Sequence, residues 1–385
     1  MKKVALKSII SRVFVSILVV ILIVFLPLVS IKQNDNLENI FSVFLGAKAK
    51  YQGIIEIWNI DTFEGGSAPK SNYLTSVASS FEKKNKGIYV MIKNLTEFEC
   101  LNLLYSGYKP DLFSCSYGVA SEIKNYIEPL DMKNSSAEKN IMKNLLSAGK
   151  IGNEQYGVPW CFGLYFLISS TNHLKKADFY KKNNIEESSD FKLSDYYYSL
   201  GYEKKLKKSV TTIYSLSYGK NEYLRPDYAL KSYNNKGFTS SFDYFLSKNV
   251  NVNTQYDAYV DFISNKSVML LGTQRDIFRL NGRVENGKLS DILIQPITSF
   301  TDLVQFIFLS SSASEGDSEK KNYCQMFIEC IISEENQNKL SNVGLFSVCK
   351  NCTIKSGIMS DIEPYFFSDL AVNNVFISKS EIVSF

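Results

Sequence analysis

Histidine is almost missing from this chain of 385 residues: the single one is His173. A Ser-His-Asp or Cys-His site would therefore rest on that one residue. It stands in Ser170-Thr171-Asn172-His173, which reads as a solvated turn, and no G-x-S-x-G stretch accompanies it. Phosphate-cradling loops are missing too, both G-x-x-x-x-G-K-[ST] and G-x-G-x-x-G, so the common nucleotide-binding motifs are excluded. The seven cysteines contain one C-x-x-C, Cys349 to Cys352. A zinc ribbon needs a second such pair, and the thioredoxin-like setting of a redox C-x-x-C is not evident. Paired carboxylates for glycoside cleavage form in space and leave no spacing rule. The adjacent acids Glu186-Glu187 and Glu334-Glu335 read as exposed helix charges. The expectation is a protein without catalytic residues, metal or cofactor.

Charge of either sign is missing over a long stretch near the start. Val13 to Ile31 carries no charge and is almost entirely Val, Ile, Leu and Phe. A helix of that length spans roughly 28 Å, close to the hydrocarbon thickness of a bilayer. Lys2, Lys3, Lys7 and Arg12 precede it, so the positive-inside rule keeps the amino terminus in the cytoplasm and exports the rest. A cleaved signal peptide is the rival reading. The run is long for that, and Leu28-Val29-Ser30 is a poor cleavage site, so an uncleaved anchor is expected. The first cysteine is Cys100, which excludes a lipid-modified amino-terminal Cys. Export permits disulfides, but no pairing follows from the sequence.

What remains is globular: 45% apolar, 21% charged, with a net charge of +4. The basic residues are dispersed, so no nucleic-acid surface is indicated. The length suggests two domains. Residues 32 to 52 read as a polar spacer. A strand at Ile54–Trp58, a helix capped by Ser71 with apolar Tyr73, Leu74, Val77, Ala78 and Phe81, and strands at Ile88–Ile92 and Asp111–Cys115 then alternate. A short helix at Glu99–Tyr105 precedes the third strand. This order argues for βαβ units and a largely parallel sheet. Asp131–Asn153 reads as helical and Lys175–Ser209 as helices and loops. Further on, Tyr256–Ile263 reads as a helix and Ser267–Leu271 as a strand stopped by Gly272. Strands at Ile292–Ile297 and Leu303–Leu309 precede helices at Tyr323–Ile332 and Glu335–Leu340.

The two tryptophans, Trp58 and Trp160, each sit in a strand-like run broken by glycine or proline. Core packing is the ordinary role of such aromatics. Strand ends of open α/β sheets are also where ligands bind, and an indole offers a flat stacking face.

The runs IEIWNIDTFEGG (Ile55–Gly66), FEKKNKGIYVMI (Phe81–Ile92), KPDLFSCS (Lys109–Ser116) and IEPLD (Ile127–Asp131) come first. YGVPWCFGLYFLI (Tyr156–Ile168), SNKSVMLLGTQRD (Ser264–Asp276), TDLVQFIFL (Thr301–Leu309) and SEENQNKLSNVGLFSV (Ser333–Val348) follow. In this order and spacing they resemble the family 1 extracellular solute-binding proteins, the carbohydrate receptors of ABC importers. The resemblance covers about residues 54 to 348. It implies an α/β, two-lobed periplasmic-binding-protein-like fold with discontinuous lobes and a hinge, here preceded by an N-terminal transmembrane helix. Its lobes would be 51–158 plus 298–344 and 162–294 plus 346–385, after a basic tip, anchor and spacer in 1–50. By position it implies sugar-binding roles for Trp58, Asp61, Thr62, Ser114, Tyr117, Trp160, Tyr165, Gln274 and Arg275.

Carboxylate, amide and guanidinium groups suit sugar hydroxyls, and an aromatic platform suits a pyranose face. The implied function is capture of a sugar or oligosaccharide outside the cytoplasm and delivery to ABC permease subunits, by a monomer held in the cell membrane through residues 13–31. A membrane-anchored sensor or structural module with a decayed cleft is the alternative. The region after Val348 departs from the family pattern.

Overall fold

The computed structural model describes residues 52–132, 135, 139–176, 214–220, 223–234, 250–314, 318–352, 360, 370–372 and 374–376. The expected anchor at 13–31, the spacer and nearly all of 175–209 lie outside them. Among the described residues no helix is long and apolar enough to cross a membrane. The chain falls into two compact units: a small one of 82–89 with the residues up to 54, and a large one of 55–81 with 90–385. In the small unit Gly53 N donates to Gly87 O at 3.1 Å. The sites below lie in the large unit.

The amino-terminal part alternates as the apolar pattern requires: β1 (Gly53–Ile60), α1 (Lys70–Lys84), β2 (Ile88–Leu95), α2 (Glu97–Tyr105) and β3 (Leu112–Ser116). Tyr73, Leu74, Val77, Ala78 and Phe81 of α1 are all buried, as their 3.6 spacing demands. The helix starts at Lys70, so Ser71 lies in its first turn and does not cap it. α2 begins two residues before the sequence reading. Thr96 and Glu99 close a reciprocal capping box there, with Thr96 N donating to Glu99 Oε2 at 2.7 Å.

After β4 (Ile127–Glu128), the described part of the expected 131–153 helix contains α3 (Lys143–Ala148), and its end is instead a two-strand turn of β5 (Lys150–Ile151) and β6 (Glu154–Gln155). Gly149 ends the helix, and Gly152 makes the turn between β5 and β6. Gly152 sits at φ +61°, and a Cβ on Gly149 would come within 2.0 Å of the Gly157 carbonyl oxygen.

β7 (Gly157–Phe162) and β8 (Tyr165–Ser169) are separated only by Gly163 and Leu164, yet they join different sheets. The second part then runs α4 (Thr171–Lys176), β9 (Tyr214–Lys220), α5 (Pro226–Asn234), β10 (Val250–Thr254), α6 (Gln255–Ile263), β11 (Ser267–Thr273), α7 (Gln274–Glu285) and β12 (Leu293–Ile297). β13 (Val304–Ser310), α8 (Ser318–Ile331) and α9 (Glu334–Gln337) return to the first sheet region.

The first sheet has the order β2-β1-β3-β13-β4, with β7 also on β13. β1 and β3 are parallel, but β13 runs antiparallel to β3, β4 and β7. The sheet is therefore mixed, where the alternation alone suggested a largely parallel one. The second sheet has the order β10-β9-β11-β8-β12, with β9 parallel to β10 and β11, and β8 antiparallel to β11 and β12. The chain passes between sheets at Gly163–Leu164 and again at 298–303. The two passages are tied: Gly163 N donates to Leu303 O at 2.7 Å, and Thr301 Oγ1 donates to Gly163 O at 2.9 Å.

β7, β8, β11 and β13 are buried throughout, which is why they read as unbroken apolar runs. β11 continues through Gly272 to Thr273, and Gly272 packs against Asp276, whose carboxylate would lie 2.8 Å from a Cβ there. His173 is not a turn residue. It lies buried in α4, stacked on Phe262 at 4.3 Å, with Nδ1 2.5 Å from Ser170 Oγ and Nε2 2.8 Å from Phe262 O.

The close approach at Gly149 makes one expectation for stability. Gly149→Ala forces backbone against backbone, and overpacking of this kind costs about 1–3 kcal/mol. Urea unfolding of the variant should show a loss in that range, whereas Gly282→Ala, with nothing near its Cβ, should not be destabilised.

Candidate functional site

The carboxyl ends of β1 and β3 open onto the loop 61–69. The side chain that organises this end is one the sequence reading overlooked. Lys70, at the start of α1, has no exposed side-chain surface. An unpaired buried ammonium would be prohibitive, so its surroundings must supply partners. They do: Asp61 Oδ1 lies 3.3 Å away, Gln305 Oε1 accepts at 3.0 Å, and the Phe63 ring sits under the ammonium at 3.5 Å.

Gln305 passes the network on. Its Nε2 donates to Ile60 O and to Ser114 Oγ, each at 3.1 Å. Ser114 Oγ donates to Asn59 Oδ1 at 3.0 Å, and Asn59 Nδ2 donates to Asn94 Oδ1 at 2.9 Å. Trp160 Nε1 donates to Ser114 Oγ at 3.3 Å. Asp61, the partner nearest solvent, keeps about a third of its side chain exposed.

A second set of contacts reaches the same loop from α7. Gln274 Nε2 donates to Glu64 O at 2.9 Å, while its Oε1 accepts from Leu164 N at 3.2 Å. Arg275 Nη1 pairs with Glu64 Oε1 at 2.5 Å, both side chains being well exposed. The Gln274 amide packs against Gly163, where a Cβ would come within 2.5 Å and displace it. Gly66 likewise lies against the Phe278 ring and the Gly344 carbonyl. Loop 61–69, the Gly163 passage and the start of α7 thus meet at one seam.

The implied site residues divide accordingly. Asp61, Gln274 and Arg275 lie on this seam. Thr62 hydrogen-bonds Ser116 beside it, and Tyr117 follows in a buried turn. Ser114 is wholly buried inside the network. Trp160 is fully buried, stacked on Tyr73 at 5.2 Å and 6°, so its indole faces the core and no surface. The expected stacking platform is therefore packed under the site, because Tyr73 of α1 covers the face of β7 that carries it. Its carbonyl accepts from Gln337 Nε2 at 2.8 Å.

Trp58 is also buried, edge-on to Phe113, and its Nε1 donates to Glu56 Oε1 at 2.7 Å. It alternates with Asn59 and so faces away from the network. Tyr165 joins a separate buried set at the second passage. Its hydroxyl donates to Asp302 Oδ1 at 2.8 Å, and Arg225 N donates to Asp302 Oδ2 at 2.6 Å.

Signals for the overlooked residues existed. Lys70 shares the 3.6 period of Tyr73, Leu74 and Val77, which places a cation on an apolar face. Gln305 is the lone amide in an otherwise apolar strand. Among the described residues no group of acids, histidines and cysteines is arranged to hold a metal.

Two measurements test this geometry. Trp160→Ala should cost about 3–5 kcal/mol of stability in urea unfolding, the range for large aromatics in cores. A loss under about 1 kcal/mol would place the indole outside the core. The second concerns pH. Burial lifts the Asp302 carboxyl to about 6, against the opposing hydrogen bonds from Tyr165 and Arg225. The native state then holds a proton between about pH 4 and 6 that the unfolded chain has lost, so this group's contribution to stability falls as pH rises through that window. Relative to Asp302→Asn, the wild type should lose at most on the order of 3 kcal/mol from pH 4 to 7. Parallel stability curves would contradict it.

No family model matches the sequence, and no curated protein matches it. Solved structures do match in fold. The sugar-binding protein MalE from Xanthomonas citri is 12% identical with a TM-score of 0.59, over 86% of this chain and 89% of that one. The GacH receptor of Streptomyces glaucescens, solved unliganded and with acarbose, is 14% identical with a TM-score of 0.58, over 86% and 90%. A spermidine/putrescine ABC transporter substrate-binding protein, PotD, from Streptococcus pneumoniae is 13% identical with a TM-score of 0.56, over 84% and 93%. These agree with the resemblance carried by the ordered fragments. The chain has the two-lobed α/β fold of the periplasmic solute-binding proteins.

Proposed function

We propose that this chain is an extracytoplasmic receptor that captures a sugar or short oligosaccharide between its lobes and hands it to ABC permease subunits. The observation that carries this reading is the seam itself. Three segments from two sheets bring Asp61, Glu64, Gln274 and Arg275 together beside paired interlobe passages. The charges there are matched, Asp61 by Lys70 and Glu64 by Arg275. A matched set suits a neutral polyhydroxylated solute better than a polycation, since hydroxyls both donate and accept. Opening would release Glu64 and Arg275 from each other, and closing would bring both onto the ligand.

The lobes are proposed as 51–158 plus 298–344 and 162–294 plus 346–385, exchanging at the two passages. Residues 13–31 are proposed as the uncleaved anchor of a monomer on the outer face of the membrane. A sensor or structural module with a decayed cleft is the second reading. It is favoured by one observation, the burial of Trp160 away from any surface.

Calorimetric titration with a panel of sugars, oligosaccharides and polyamines separates these readings. The account expects a carbohydrate to bind. With that solute, Asp61→Asn and Arg275→Ala should each weaken binding by at least about 2 kcal/mol, roughly 30-fold in Kd. Binding of polyamines alone would reassign the ligand class, and no binding at all would favour the module.

A further inference from the structure

Cys349 and Cys352 were left by the sequence as an isolated C-x-x-C without a zinc or thioredoxin-like setting. The structure gives them a different setting, a buried turn. They flank a turn whose middle residues are Lys350 and Asn351. The ends of such a turn lie under about 7 Å apart at Cα, which overlaps the range that a disulfide spans. Both side chains are buried, at 2% and 3% exposure. They point the same way: Cys349 Sγ donates to Ile332 O at 3.4 Å, and Cys352 Sγ lies 3.9 Å from Glu334 O in the following turn. The two thiols thus converge on one short stretch of backbone, the carbonyls of Ile332 and Glu334.

We infer that Cys349 and Cys352 form an intrachain disulfide when the protein meets a disulfide oxidant. The inference is independent of what the protein binds. The reduced pair is an unfavourable arrangement for thiolate chemistry, since the neighbouring Cys352 thiol and burial both push the Cys349 thiol up. A catalytic dithiol needs the opposite, an exposed thiol with a lowered pKa. The bridge would therefore be structural.

It would fasten a strap that is already held at several points. Cys349 pairs with Ile141, Lys350 N donates to Asn140 O at 2.9 Å, and Val348 N donates to Gln337 Oε1 at 3.1 Å. Gln337 in turn holds the Trp160 carbonyl, so the strap braces the strand beneath the seam.

The chemistry balances with a small-molecule disulfide such as oxidised glutathione. One thiol loses its proton, and the thiolate attacks a glutathione sulfur, releasing one glutathione thiolate and leaving a mixed disulfide. The second thiol loses its proton and attacks the protein sulfur of that intermediate. The bridge forms and the second glutathione leaves, so two protein thiols are oxidised and one disulfide is reduced to two thiols.

The test uses the full-length chain, purified reduced and then equilibrated with a mixture of reduced and oxidised glutathione. Alkylation under denaturing conditions should then modify all but two of the seven cysteines. Trypsin cleaves after Lys350, so Cys349 and Cys352 fall on separate peptides. These should be recovered as one linked species that separates on reduction. Cys349→Ser should abolish the protection of Cys352. Alkylation of all seven cysteines, a bridge joining any other pair, a persistent glutathione adduct on either residue, or protected Cys352 in the Cys349→Ser protein would each overturn the inference.

Discussion

A single buried cation sets the geometry of the first sheet's functional end. Lys70 is held by Asp61 and the Phe63 ring from loop 61–69 and by Gln305 from β13. An ammonium in such a place is tolerated only while every partner is in position. Displacing any one of them would leave charge or amide unsatisfied in low dielectric. The pairing therefore fixes where α1 meets the ends of β1 and β13, and hence where loop 61–69 leaves the sheet. Ser114, Asn59 and the Trp160 indole are secured through Gln305, so the polar network and the aromatic core beneath it are one unit.

The second constraint is at Gly163. Two passages between sheets cross there with mutual hydrogen bonds, and the Gln274 amide fills the space where a side chain would stand. This pins the start of α7 to the loop that Lys70 has positioned. The exposed Glu64–Arg275 pair, by contrast, contributes little to stability, as solvent-exposed ion pairs do. A rigid, buried scaffold under a weakly held surface contact is the arrangement expected of a site that opens and closes.

Much of this was legible in the sequence. The period of Tyr73 to Phe81 gave the helix and its buried face, and the apolar runs around Trp160 and Phe306 marked the strands that carry the chain between sheets. Asp61, Gln274 and Arg275 were named through the family resemblance, and the fold sets loop 61–69 and the start of α7 side by side. What was not legible depended on contacts between distant residues. Nothing local distinguishes a Trp that packs on Tyr73 from one that faces a ligand; only the pairing of β7 with β13 buries it. His173 looked like a turn residue because its partners, Ser170 and Phe262, come together only in the fold. The antiparallel direction of β13 follows from a long connection through the second sheet, which alternation of elements does not encode. The stop of α3 at Gly149 was hidden because the steric limit there comes from the Gly157 backbone.

The central claim is that solute binds at the seam of loop 61–69, Gly163 and the start of α7. Hydrogen–deuterium exchange of the full-length protein, with and without a saturating carbohydrate, tests it most directly. The account predicts that added protection concentrates in residues 61–69, 163–165 and 272–278, with the core strands unchanged. Protection confined to other segments, with these three unaffected by a bound solute, would contradict it.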